Sequence, residues 1–176
     1  VCYFYQLFIG FCVISGEEEQ CTLVRSRFVS DCNPANDTGV TRSMTHKRCT
    51  LLIVEDNSAF RQRIIHKYLT RCRVVELPKA DHFTEVLNSE RFHGILMDYE
   101  LPGGRGDTLV TSARSSGFQG AIAGISSSEY LNRKLLQAGA DAAVEKRHAY
   151  QLPGAIRYAL SIAEQRIGGR ECDFPE

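Results

Sequence analysis

The stretch that decides the fold is GILMDYELPGGRG, residues 94–106. Its first four residues form a continuous apolar run that ends at Asp98, and a loop rich in Gly and Pro follows. A short apolar run without polar alternation is typical of a parallel strand that is buried on both faces. The stretch therefore predicts a buried strand with an aspartate at its carboxyl end.

Similar short apolar runs recur on both sides of this stretch, and segments with helical spacing of apolar residues separate them. The other predicted strands are TLLIV (50–54), a run within 73–77, AIAGI (121–125) and AAV (142–144). The predicted helices cover residues 58–69, 81–87, 107–115, 129–138 and 150–167. Five strands that alternate with five helices predict an α/β protein with a doubly wound parallel sheet.

The residues at the carboxyl ends of these strands are the candidate functional residues, because ligands of such sheets bind outside those ends. In the flavodoxin-like strand order 2-1-3-4-5, the first and third strands are neighbours, so Asp56 and Asp98 converge. Glu55 also follows the first strand, while Ser126 and Lys146 follow the fourth and fifth.

Carboxylates that crowd together repel each other, and a hard divalent cation relieves that repulsion. An open oxygen site with few protein ligands suits Mg²⁺. The Lys146 charge and the Ser126 hydroxyl are the groups expected around a transferring phosphoryl group. A loop of the G-x-x-x-x-G-K-[ST] type is absent, so nucleotide binding finds no support.

Length and composition limit the function classes. The 176 residues suit one domain of ordinary size with extensions, and the 43% of hydrophobic residues fit a globular core. The 21 basic residues balance the 21 acidic residues, so no basic field is available for nucleic-acid binding. The seven cysteines contain no C-x-x-C pair, which indicates neither a zinc site nor a redox motif. The five histidines are scattered, and we expect them at the surface.

The ordered set of strand-end segments resembles the receiver domain of response regulators in two-component signalling. The segments are LLIVEDN (51–57), ILMDYELPGGRG (95–106), AGISS (123–127) and GADAAVEK (139–146). The resemblance spans about residues 50–166, and it implies the flavodoxin-like topology with order 2-1-3-4-5. We therefore expect a receiver domain over residues 49–167, an N-terminal extension over 1–48 and a C-terminal tail over 168–176.

The resemblance implies a role for each strand-end residue. Asp98 would be the phosphoacceptor, which takes a phosphoryl group from a histidine kinase or a histidine phosphotransfer protein. Asp56 and Asp98 would bind Mg²⁺ directly, Glu55 would bind it through water, and Glu100 would offer its backbone carbonyl. Ser126 and Lys146 would each contact a phosphoryl oxygen, while Pro102 and Gly106 would shape the loop.

Two positions depart from the pattern of the family. Ala143 stands where the family usually has Tyr or Phe, which moves inward when the Ser or Thr contacts the phosphoryl group. Arg147 stands where the family usually has Pro, often after a cis peptide bond. Because a cis bond before a non-proline residue costs about 3 kcal/mol, we expect a trans bond here.

The first 43 residues form no regular pattern. Residues 1–14 are apolar, but Gln6 interrupts them, and they are shorter than the ~18–20 residues that cross a bilayer. They also lack a basic region typical of a secretory signal. We interpret residues 1–43 as upstream translation or the end of an absent element, and a membrane or partner anchor is the alternative. We expect a cytoplasmic location and no membrane partner.

Ten residues follow Arg166, so the sequence predicts a stand-alone receiver that signals to a downstream protein through its own surface. We expect no enzyme activity beyond its own phosphorylation and dephosphorylation. Two alternatives stay open, namely a receiver-fold adaptor that is not phosphorylated and a fragment of a longer regulator with a lost output domain.

Overall fold

A computed structural model of the chain describes residues 48–169 and 172–174. Apart from Arg48, the predicted N-terminal extension lies outside the described residues, and the predicted domain boundaries stay predictions. No helix among the described residues has both the length and the apolar character needed to cross a bilayer.

Five parallel strands form the central sheet. They are β1 (Thr50–Val54), β2 (Arg73–Leu77), β3 (Gly94–Asp98), β6 (Ala121–Ser126) and β7 (Ala142–Glu145). Their order is β2-β1-β3-β6-β7, which is the predicted order 2-1-3-4-5 when the five long strands are counted. Two short antiparallel strands, β4 (Glu100–Leu101) and β5 (Gly104–Arg105), lie in the loop after β3. The sequence predicted a turn-rich loop there, because two-residue strands are too short to produce a periodic pattern.

Five α-helices and one 3₁₀ helix connect the strands of the described part. They are α1 (Ser58–Tyr68), α2 (Phe83–Ser89), α3 (Gly106–Ser115), α4 (Glu129–Gln137), the 3₁₀ helix (Lys146–Gln151) and α5 (Leu152–Ile167). α2 begins two residues later than predicted, because His82 takes a left-handed conformation with φ of 61°. α1 and α4 begin after Asn57 and Ser128, whose side chains accept hydrogen bonds from the first turn.

The core lies on both faces of the sheet, as the continuous apolar runs predicted. Along β1, Leu51 and Ile53 pack into one hydrophobic cluster, whereas Leu52 and Val54 pack into the other. α1 and α5 cover the first cluster, and α2, α3 and α4 cover the second. A strand with both faces buried cannot alternate polar and apolar residues, which explains the sequence of β1.

A disulfide joins Cys49, just before β1, to Cys172, beyond α5. Arg48 and Asp173 form a parallel bridge beside it. The sequence did not indicate this bond, since the two cysteines are 123 positions apart and match no spacing motif. His93 is also buried, contrary to the expected surface position, and its Nδ1 accepts a hydrogen bond of 2.9 Å from the Thr50 backbone amide.

Candidate functional site

Three acidic side chains meet at the carboxyl edge of the sheet. β1 and β3 pair in parallel with Val54 opposite Met97, so Glu55 and Asp98 are the next residues on the two neighbouring strands. One carboxylate oxygen from each of Glu55, Asp56 and Asp98 lies within 4.8 Å of the other two. The topology thus brings together the acids that the sequence placed at these strand ends.

Burial makes this acidic group unusual. Glu55 is fully buried and Asp98 is only 3% exposed, whereas Asp56 is exposed. Burial raises the pKa of Glu55 and of Asp98, and Lys146 partly opposes the increase in both. The Asp98 charge raises the pKa of Glu55 further, and the Asp56 charge does the same for Asp98. The site therefore favours a bound cation, because three neighbouring carboxylates carry more negative charge than one ammonium group neutralises.

Lys146 is that ammonium group. It begins the 3₁₀ helix after β7, and its Nζ donates to Asp98 Oδ2 at 2.7 Å and to Glu55 Oε1 at 2.9 Å. Nζ also lies 5.3 Å from the centre of the Phe60 ring. Burial tends to lower the pKa of Lys146, but the bonds to the two carboxylates outweigh it and raise that pKa. Lys146 is therefore a fixed positive charge at neutral pH.

The backbone orients the Asp98 carboxylate. Oδ1 accepts a hydrogen bond of 2.7 Å from the Tyr99 amide, and Oδ2 accepts from Lys146. Each carboxylate oxygen can accept a second partner, so Asp98 keeps acceptor capacity for a cation.

Two buried oxygen atoms of the site have no hydrogen-bond partner among the described residues, namely Glu55 Oε2 and Ser126 Oγ. An unsatisfied buried polar atom costs about 1–3 kcal/mol, so such atoms point to a ligand. Ser126 ends β6, the strand that pairs with β3 on the side away from β1. The acidic oxygen set fits Mg²⁺, which prefers oxygen ligands and keeps several waters.

Gly106 brings the start of α3 against Asp98. A Cβ added at Gly106 would lie 2.0 Å from the Asp98 carbonyl oxygen and 2.9 Å from its carbonyl carbon. The Gly106 amide donates to the Tyr99 carbonyl at 2.8 Å, and the Pro102 carbonyl accepts from Ala80 at 3.0 Å. Glycine is therefore the residue that this close approach of two backbones requires.

Two neighbours of Asp98 differ in their surroundings. Tyr99 is buried in the second core cluster, and its hydroxyl donates to Asp107 Oδ2 at 3.3 Å. Glu100 is exposed and begins β4 opposite Arg105. The predicted role of its carbonyl as a metal ligand stays a prediction.

Arg61 is a contributor that sequence reasoning missed. Its Nη1 donates to the Glu55 carbonyl at 2.6 Å, and its Nε pairs with Glu76 of β2 at 2.6 Å. The guanidinium therefore fixes the backbone between β1 and α1, where Glu55 and Asp56 lie. No sequence motif marks Arg61, which follows one turn after the cap residue Asn57.

The structure shows the packing at Ala143 and the peptide bond before Arg147, the two positions that depart from the family pattern. Ala143 lies opposite Gly124 in the β6–β7 ladder, and a Cβ added at Gly124 would lie 2.8 Å from Leu135 Cδ1 and 3.3 Å from the Ala143 Cβ. The missing side chain at Gly124 lets Leu135 of α4 pack directly on the sheet. The bond between Lys146 and Arg147 is trans, as predicted, since the described residues contain no cis peptide bond.

A doubly wound parallel sheet of this order, with buried acids and a lysine at its carboxyl edge, defines a flavodoxin-like α/β domain. The family model described as response regulator receiver domain matches residues 51–157. The chain belongs to this family, and the resemblance seen in the sequence is confirmed.

Solved receiver domains share the fold. The BeF3-activated N-terminal receiver domain of Klebsiella pneumoniae RstA is 27% identical, with a TM-score of 0.56 over 63% of this chain and 97% of that chain. The signal receiver domain of an HD domain-containing protein from Pseudomonas fluorescens is 16% identical, with a TM-score of 0.65 over 73% and 98%. A CheY-like receiver domain protein from Methanospirillum hungatei is 22% identical, with a TM-score of 0.55 over 68% and 98%. No curated protein matches the chain.

Proposed function

We propose that this protein is a phosphorelay receiver whose Asp98 carboxylate accepts a phosphoryl group from a histidine kinase or a histidine phosphotransfer protein. The observation that carries the proposal is the contact of 2.7 Å between the Lys146 ammonium and a buried Asp98 oxygen, beside Glu55 and Asp56. The similar Klebsiella receiver domain, solved in a BeF3-activated form, supports it.

In the proposed reaction, an Asp98 oxygen attacks the phosphorus of a phosphohistidine. The phosphorus–nitrogen bond breaks, its electron pair returns to the imidazole, which takes a proton, and Asp98 becomes an acyl phosphate. Lys146 pairs with one phosphoryl oxygen, and the Ser126 hydroxyl, which has no hydrogen-bond partner in the described part of the chain, donates to another. The residues stabilise charge and position the phosphoryl group, which is most of what phosphoryl transfer requires.

Asp56, Asp98, the Glu55 carboxylate through water and the Glu100 carbonyl would hold Mg²⁺. When bound, the ion neutralises the carboxylates and stabilises the charge on the phosphoryl oxygens. The orphaned Glu55 Oε2 supports this assignment, since it is buried and lacks any other described partner.

Replacing Asp56 tests the metal assignment. Asp56→Asn removes an exposed charge from the acidic group, so we expect a Mg²⁺ dissociation constant raised about tenfold, or about 1.4 kcal/mol. Labelling with radioactive acetyl phosphate should slow at limiting Mg²⁺. The control is Asp81→Asn, an exposed aspartate outside the group, which should behave as wild type. Equal labelling of Asp56→Asn and wild type at limiting Mg²⁺ would contradict the assignment.

An adaptor that is never phosphorylated is the second candidate function, and Ala143 is the observation that favours it, because this position offers no ring for the usual switch. Labelling with acetyl phosphate, with and without Mg²⁺, separates the two functions. Incorporation that requires both Mg²⁺ and Asp98 supports the receiver, whereas an unlabelled folded chain supports the adaptor.

We place the protein in the cytoplasm, where it would catalyse only its own phosphorylation and dephosphorylation. Its output would be contact with a downstream protein, directly or through an output domain of a longer regulator.

The close packing of α4 leads to a prediction about the switch. Ala143 has no ring to bury, and Leu135 already packs against Gly124, so the two states should differ little on this face. We expect BeF3⁻ to shift the backbone amide resonances near Asp98 and Ser126 strongly and those of α4 and β7 weakly. Nuclear magnetic resonance of labelled protein measures this, and shifts of equal size at both places would refute the prediction.

A further inference from the structure

Residues 172–174, which follow α5 in the sequence, lie beside the amino-terminal end of β1. Cys172 is bonded to Cys49, and Phe174 packs against the same hydrophobic cluster as β1 and α5. Cys49 is fully buried and Cys172 is 7% exposed. His93, Leu160, Ala163 and Cys172 line a small cavity, so Cys172 forms one wall of it.

We propose that Cys49 and Cys172 form a reversible thiol–disulfide pair, which reacts with a small disulfide of the glutathione type and thereby docks or releases residues 172–174. This proposal goes beyond phosphoryl transfer and does not depend on it. The bond lies at the opposite end of β1 from Glu55 and Asp56.

The domain has a hydrophobic core large enough to fold without this disulfide bond. Disulfides that serve as structural staples are typical of small domains that cannot bury enough apolar surface. Here two hydrophobic clusters cover both faces of a five-stranded sheet. The bond fixes the segment beyond α5, so its loss should release that segment and leave the domain folded.

The end of α5 allows such a release. Gly168 ends the helix in the left-handed region with φ of 76°, and Gly169 follows. Both glycine amides donate to the Glu164 carbonyl, at 2.9 and 3.1 Å, but apart from chain neighbours no described atom lies within 4 Å of a Cβ added at either position. Side-chain packing therefore does not hold this pair in place. Without the bond, residues 172–174 can pivot about Gly168 and Gly169.

Cys72 is the third described cysteine, and its surroundings make it a poor competitor. Burial raises the pKa of the Cys72 thiol to about 11, so little thiolate exists at neutral pH. It is nevertheless near the pair, because the next residue, Arg73, donates its amide to the Cys49 carbonyl at 2.8 Å. Cys72 therefore serves as a natural control for thiol specificity.

The reaction balances as a thiol–disulfide exchange. In the released form, the Cys172 thiolate attacks one sulfur of the small disulfide and displaces one small thiolate. The Cys49 thiolate then attacks the Cys172 sulfur and displaces the second small thiolate. The two protein thiols are oxidised to one disulfide, the small disulfide is reduced to two thiols, and the two protons from Cys49 and Cys172 pass to them.

The test equilibrates the full chain in buffers with different ratios of reduced to oxidised glutathione. Free thiols are then alkylated, and the peptides are mapped by mass spectrometry with their disulfide bonds left intact. We expect the peptide that joins Cys49 to Cys172 in oxidised buffer, and its loss in a hundredfold excess of reduced glutathione without denaturant. Cys172→Ser should abolish this peptide, whereas Cys72→Ser should leave it unchanged. A joined peptide that persists in reduced glutathione, or never forms in oxidised glutathione, overturns the proposal.

Hydrogen exchange gives the second readout. Reduction should increase amide exchange at residues 172–174 in wild type at least tenfold, and Cys172→Ser should show this increase in both buffers. The amides of β3 should stay protected, which would show that the domain remains folded. Unchanged protection at 172–174 in reduced wild type, or loss of protection throughout the sheet, overturns the release.

Discussion

Asp98→Asn is expected to abolish labelling by acetyl phosphate. Asparagine keeps the size of the side chain, and its amide oxygen can still accept from the Tyr99 amide, but the attacking carboxylate is gone. Among the described carboxylates, only Asp98 and Glu55 accept hydrogen bonds from both a backbone amide and Lys146. Glu55 is fully buried. We therefore expect incorporation to fall to background in a Mg²⁺-containing buffer.

The folded state of Asp98→Asn provides the matching control. Burial raises the pKa of Asp98, so its ionisation costs the folded state free energy. Without Mg²⁺, ionisation of Asp98 lowers the free energy of unfolding as the pH rises from the ordinary pKa of aspartate through the raised pKa. Asparagine does not ionise, so Asp98→Asn avoids this loss of stability. The melting temperature at neutral pH should thus equal or exceed that of wild type. Hydroxylamine-sensitive label at the wild-type level in Asp98→Asn would refute the assignment of the phosphoacceptor.

Gly106→Ala is expected to destabilise the protein by about 2–4 kcal/mol, because the added Cβ meets backbone that cannot rotate away. That Cβ would lie 2.0 Å from the Asp98 carbonyl oxygen, so β3 or the start of α3 must shift. Labelling should also fall in the protein that remains folded, since the shift moves Asp98. Urea denaturation measures the loss of stability.

The control for this substitution is Gly154→Ala. Gly154 lies in α5, and outside its chain neighbours and the backbone of its own helix no described atom lies within 4 Å of a Cβ added there. Alanine is favoured over glycine inside a helix by about 0.5–1 kcal/mol, so this variant should be as stable as wild type or more stable. If the free energy of unfolding of Gly106→Ala lies within about 0.5 kcal/mol of the wild-type value, the close approach at Asp98 does not constrain the loop.

The sequence predicted the sheet and the position of the acidic group for one physical reason. Strands buried on both faces leave continuous apolar runs, and parallel strands end at one edge, so Glu55, Asp56 and Asp98 had to converge once the order was known. The order itself came from the resemblance to receiver domains. The chemical roles of these residues remain predictions that labelling will test.

Other features had no signal in the sequence because they depend on how distant segments pack. The hydrogen bond from Arg61 to the Glu55 carbonyl forms only at the angle that α1 makes with β1. The spacing of apolar residues in the sequence does not give this angle. The missing partner of Ser126 Oγ appears only when its whole surroundings are known. The sequence indicated that Gly106 shapes the loop, but the backbone that excludes a side chain became visible only in the structure.

The bond between Cys49 and Cys172 has a mechanical consequence. It encloses β1 to β7 and α1 to α5 in one covalent loop. A pulling force applied to the oxidised chain before residue 49 and after residue 172 would pass through the sulfur atoms and leave the sheet without load. A proteolytic machine that unfolds proteins by drawing on one end would have to pull two strands of chain through its channel at once. In the reduced chain the same force would act directly on β1, whose removal would expose the buried Glu55.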